Sequence, residues 1–166
     1  MQDNKCEVLA VELGQCLLKR KWYITVAESC TGGELSGAIT SVAGSSKWFQ
    51  QGLVAYGNEV KHQQLGVNNK LLEEQGAVSG PVVIAMAQGA LQQSQADIAI
   101  AVSGIAGPDG GSSEKPVGTV WVAWATKEGR TFSHVYYFSG NRSQIRLQTV
   151  KEALKGANVL LSKDAL

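Results

Sequence analysis

Histidine is scarce in this chain: His62 and His134 are the only two among 166 residues, and neither has a cysteine or acidic cluster beside it. That spacing excludes the usual ligand pattern of a zinc hydrolase, so no metal or other cofactor is expected. Cysteine is nearly as rare. Cys6, Cys16 and Cys30 form neither an even disulfide set nor a close ligand pair, so reduced thiols are expected. An excess of charge is also missing, with 15 Lys and Arg against 14 Asp and Glu, scattered along the chain. No electrostatic footprint for nucleic acid follows from such a balance. No apolar run reaches the roughly 18 to 20 residues that span a bilayer. The opening MQDNKCEV lacks the basic-then-apolar layout of a signal peptide, which points to the cytoplasm and to no membrane partner. With no repeat or linker, the length suits a single domain over 1–166.

What is present is a regular alternation of helical and extended patterns. Cys6, Leu9, Leu13, Cys16 and Leu17 recur at helical spacing and predict a helix over about 4–20, with Asp3 or Asn4 as its cap. A strand at 23–27 runs into ESCTGG and a small-residue helix that starts near Thr31 or Gly32. GLVAY reads as a buried strand, followed by helices at about 58–66, 68–75 and 80–95 and a strand at 98–102. The segment 103–118, with five glycines and two prolines, is too particular to be a simple connection. Strands at 119–125 and 132–138 flank KEGR as a hairpin, and a helix over 142–161 closes the chain. The pattern predicts a three-layer α/β/α domain with a mixed sheet. Ligands of such sheets gather at the carboxyl ends of strands, where three glycine-rich segments fall.

Each of those segments offers chemistry and also a plainer reading. Around Ser29, Thr31, Gly32 and Gly33, backbone amides, hydroxyls and a helix dipole suit an anion, although a Ser or Thr before a helix is ordinarily a cap. Cys30 beside them lacks a histidine partner for nucleophilic work. Ser45 and Ser46, followed by Tyr56 and Lys61, offer a hydroxyl with a lysine or a lysine and tyrosine pair as base, provided burial depresses the lysine pKa. The alternative is a capping serine and a solvated lysine. Ser103, Gly104 and the glycines up to Gly118 suit an oxyanion or phosphate grip, and Arg142 suits a bidentate phosphate clamp. Trp48 or Phe49 is the aromatic expected to line a pocket.

Taken together, AESCTGG at 27–33, AGSSKWF at 43–49, YGNEVK at 56–61, GAVS at 76–79, SGIAGPDGG at 103–111 and KPVGTVW at 115–121 resemble the CinA C-terminal domain family, the nicotinamide-nucleotide amidohydrolases. The resemblance spans nearly the whole chain. It implies hydrolysis of nicotinamide mononucleotide to nicotinic acid mononucleotide and ammonia in pyridine nucleotide salvage, without a cofactor, in a homodimer or larger assembly. It implies further that Ser46 is the nucleophile, Lys61 its base and Tyr56 an assistant. Ser29, Thr31, Gly32, Gly33, Ser103, Gly104 and Arg142 would then hold the substrate. Gly57 and Gly80 depart from the residues common in the family at those positions, and the extra N-terminal domain of longer relatives has no counterpart here. A silent nucleotide-binding regulatory module is the alternative, one that binds without releasing ammonia.

Overall fold

The first helix forms where the apolar spacing requires it. In the computed structural model, which describes residues 4–163, α1 (Asn4–Arg20) buries Cys6, Ala10, Leu13 and Leu17 along one stripe. Its last turn carries Lys19 and Arg20, cations that suit the carbonyl end of the helix dipole. The Asp3 cap lies outside the described residues. After α1 come β1 (Ile24–Glu28), α2 (Glu34–Thr40), one 3-10 turn at Ser45–Lys47 and β2 (Phe49–Val54). Then follow α3 (Asn58–Leu65), α4 (Asn69–Gln75), α5 (Gly80–Gln93), β3 (Ile98–Gly104), β4 (Thr119–Thr126), β5 (Thr131–Tyr137) and α6 (Arg142–Lys163). None of these helices is long and apolar enough to cross a membrane.

The five strands make one mixed sheet in the order β2-β1-β3-β4-β5, parallel among β2, β1 and β3 and antiparallel from β3 to β5. Side chains alternate across it, and the alternation sorts the core into two layers. Ile24, Val26, Ile98, Ile100, Val102, Val120, Val122 and Trp124 pack under α1, α2 and α6. The other face carries Ala27, Ala99, Ala101, Ala123 and Ala125 beneath α5, with Leu65 and Leu72 from α3 and α4 joining it. Small residues on that side let α5 lie close to the sheet. A buried isoleucine or leucine on the first side contributes about 1.5–3 kcal/mol. The expected three-layer α/β arrangement with a mixed sheet is the one observed.

Three local features differ from the sequence reading. The strand expected at GLVAY starts at Phe49, because β2 takes its register from β1, with Ile24 opposite Phe49 and Glu28 opposite Val54. The helix expected from Thr31 or Gly32 begins at Glu34, because Gly32 and Gly33 take positive φ values of 56° and 104° and turn the chain first. Trp48 is a core residue: only 2% exposed, it lies over Gly14 of α1, where an added Cβ would come within 2.7 Å of the indole.

Candidate active site

The carboxyl ends of β1, β2 and β3 meet along one rim of the sheet, and the polar residues that follow them are drawn together there. Ser29 follows β1, Tyr56 follows β2, and Ser103 is the penultimate residue of β3. Lys61 reaches the same rim from α3. Although lysines are almost never fully buried, Lys61 is only 1% exposed, and none of the described ion pairs includes it. Its Nζ donates to Ser29 Oγ at 3.0 Å and to the Tyr56 carbonyl at 2.8 Å. Loss of water around the ammonium lowers its pKa from 10.5 to about 8, against a smaller opposing effect of the Cys30 sulfur. A buried amine titrating near neutrality, in contact with a serine hydroxyl, has the two properties required of a general base: reach and matched basicity.

The structure brings Lys61 to Ser29, and it does not bring Lys61 to Ser46. Ser46 lies in the 3-10 turn before the amino end of β2, whereas Tyr56 and Lys61 follow its carboxyl end. Six residues of β2 separate the two ends, about 17 Å at a rise of roughly 3.3 Å per residue. The serine in contact with Lys61 is thus Ser29, and Ser46, the nucleophile that the resemblance implies, lies away from that amine. Tyr56 also differs from expectation. It meets Lys61 through its backbone carbonyl, while the residue is 60% exposed and its phenol oxygen accepts from Arg142 Nη2 at 3.3 Å.

The anion site expected at ESCTGG is filled by the protein itself. The Glu28 carboxylate, fully buried, accepts from the Thr31 hydroxyl at 2.6 Å and the Ser36 hydroxyl at 2.7 Å. The same carboxylate takes the amides of Gly33, Leu35 and Ser36 at 3.2, 2.9 and 3.0 Å. The Thr31 hydroxyl and the Gly33 amide are thus turned onto an internal anion at the start of α2, where negative charge is stabilised. Gly104 likewise serves packing, since a Cβ there would come within 2.5 Å of Val120. Burial pushes the Cys30 thiol up to about 12, so it stays protonated and is a poor nucleophile.

Two arginines of α6 fasten the rim. Arg142 donates from Nη1 to the Gly107 carbonyl at 2.7 Å and lines a cavity of about 310 Å³ with Ala106, Pro108, Val117 and Ser143. Arg146, one helical turn further on, donates to the carbonyls of Cys30 and Thr31 at 3.1 and 3.0 Å and pairs with Glu34 at 3.2 Å. The sequence reading did not single out Arg146. Its spacing of four residues from Arg142, which puts both on one helix face, was the available signal.

Known proteins share this architecture. The family model of the CinA C-terminal domain matches residues 6–161. A nicotinamide-nucleotide amidohydrolase PncC of Enterobacter agglomerans is 51% identical over 95% of this chain and 96% of its own length. One of Pseudomonas putida is 53% identical over 89% and 92%. A CinA-like protein of Syntrophobacter fumaroxidans is 46% identical over 89% of this chain, which covers only 35% of that longer protein. Among solved structures, the competence/damage inducible protein CihA of Agrobacterium tumefaciens superposes with a TM-score of 0.94 at 41% identity, over 98% of both chains. From the match of the family model across nearly all of its length and the identity of its relatives, the chain belongs to the CinA C-terminal domain family.

Proposed function

We propose that this chain is a nicotinamide-nucleotide amidohydrolase that releases ammonia from the carboxamide of nicotinamide mononucleotide, with Ser29 as nucleophile and Lys61 as its base. The relatives that bear this activity in their names support the reaction, and the 3.0 Å contact between a buried Lys61 and Ser29 carries the assignment of roles. A silent binding module has no need of a buried amine against a serine.

In this reading neutral Lys61 accepts the Ser29 hydroxyl proton as Oγ bonds to the carboxamide carbon and the carbonyl π pair moves onto oxygen. The Tyr56 carbonyl holds Nζ in line for that transfer. Collapse of the tetrahedral species breaks the C–N bond, and the Lys61 ammonium gives its proton to the departing amine, which leaves as ammonia. Water then attacks the acyl-enzyme and gives a proton to Lys61; the C–Oγ bond breaks, Lys61 returns that proton to Ser29 Oγ, and nicotinic acid mononucleotide leaves as the product. Arg142 at the mouth is the clamp for the phosphate.

Ammonia release from nicotinamide mononucleotide by chelator-treated protein tests this. Expected is turnover that survives the chelator and survives Ser46→Ala within about threefold, since Ser46 lies at the far end of β2. Loss of activity in Ser46→Ala alone would restore the original pairing, and nucleotide binding without any ammonia would leave a regulatory module.

The pH dependence follows from the lysine. The reactive form is the neutral amine, so kcat/KM rises with pH and levels off above about 8. Stability moves the same way, because the unfolded chain keeps the proton up to 10.5 while the native one releases it near 8, so Lys61 makes the fold more stable as pH climbs between those values. A flat rate profile between pH 6 and about 9 would contradict the role given to Lys61.

A further inference from the structure

We propose that the Ser103 hydroxyl and the open first turn of α5 together form the oxyanion site for the reacting carboxamide. The proposal rests on the amidohydrolase reading above. Ser103 is 1% exposed, and its Oγ has no hydrogen-bond partner among the described residues. A hydroxyl buried in that state costs stability unless a partner from outside the chain, such as a reacting group of the substrate, completes it.

The sheet register places that hydroxyl beside the nucleophile. Glu28 pairs with Val102, and the Ser29 amide donates to the Val102 carbonyl at 3.0 Å, so Ser29 and Ser103 are lateral neighbours on adjacent parallel strands, about 4.8 Å apart in backbone. Ala27 and Ala101, two residues before each serine, lie in the α5 layer, and strand alternation sends both serines to that same side. The start of α5 arrives at the same place. Gly80 lies against the Trp121 ring, and Trp121 is the β4 partner of Ser103.

That helix start is uncapped. The Ser79 side chain turns back to the Gly76 carbonyl at 2.8 Å and accepts nothing from the first turn of α5. Pro81 has no N–H, so the Gly80 and Val82 amides are the donors of that turn without an intrahelical acceptor. They add the positive end of a 14-residue helix to the unpaired hydroxyl. When Ser29 bonds to the carboxamide carbon, the carbonyl oxygen takes up the displaced electron pair, and Ser103 O–H donates to it. The proton stays on Ser103, and the oxyanion returns the pair as ammonia leaves.

The test is Ser103→Ala with nicotinamide mononucleotide, alongside Ser103→Thr, which keeps the hydroxyl. Expected for alanine is a kcat lower by about 100-fold or more with KM nearly unchanged. Its Tm should equal or exceed that of the unmodified chain, because an unsatisfied buried group has been removed. Threonine should recover a large part of the lost kcat. The proposal is overturned if kcat of the alanine variant stays within about threefold of the unmodified chain, if the loss appears in KM alone, or if both variants lose Tm and activity together. An unmodified chain that releases no ammonia would overturn the substrate reading, and this proposal with it.

Discussion

Ser29→Ala lowers ammonia release by about 10⁴-fold or more while the folded chain retains the nucleotide. In the proposed mechanism Ser29 Oγ is the atom that bonds to the carboxamide carbon, and the neighbouring groups offer no substitute. The Cys30 thiol is held near 12 by burial, and Ser46 lies beyond the amino end of β2. The fold survives because Ser29 Oγ only accepts from Lys61 Nζ, while its backbone amide keeps its bond to Val102. Ligand-induced shifts in Tm separate binding from turnover in this variant. A residual rate above about one hundredth of the unmodified chain would show that another group attacks the substrate.

The second large effect is on stability. Glu28→Ala strands five donors at once: the hydroxyls of Thr31 and Ser36 and the amides of Gly33, Leu35 and Ser36. Removing one partner from a buried charged network costs about 3–5 kcal/mol, because the remaining groups have lost both water and their acceptor. For a chain of this size each kcal/mol shifts Tm by about 2–4 °C, so the expected fall is about 6–20 °C. Glu34→Ala is the internal comparison. Its pairing with Arg146 is half-exposed, and exposed pairs of this kind are worth about 1 kcal/mol or less. Equal losses in the two variants, measured by thermal unfolding, would show that the Glu28 carboxylate does not hold the start of α2.

Glu28 also shows how a motif that suits an anion can supply one of its own. ESCTGG announces amides and hydroxyls at a helix start, which do favour negative charge. The motif contains its own carboxylate, and the chain folds that carboxylate back into the amides. Lys61 is a second case. Its sequence neighbours Val60 and His62 give no indication that it is buried, and depressed basicity follows from burial alone.

By itself, the sequence determined the elements and their layering, because side-chain periodicity is a local property: 3.6 residues for the helices and 2 for the strands. It also placed the chemistry at the carboxyl ends of strands, through glycine-rich segments that follow β1 and β3. Which serine lies against Lys61 was decided only in three dimensions. Ser46 is nearer to Lys61 along the chain than Ser29 is, yet parallel strands reverse that order in space. β1 and β2 run side by side, so the residue after β1 lies next to the residues after β2, and the residue before β2 is a strand length away. The unpaired hydroxyl of Ser103 was hidden for the same reason, since the neighbours of a buried atom are set by register between strands that are distant in sequence.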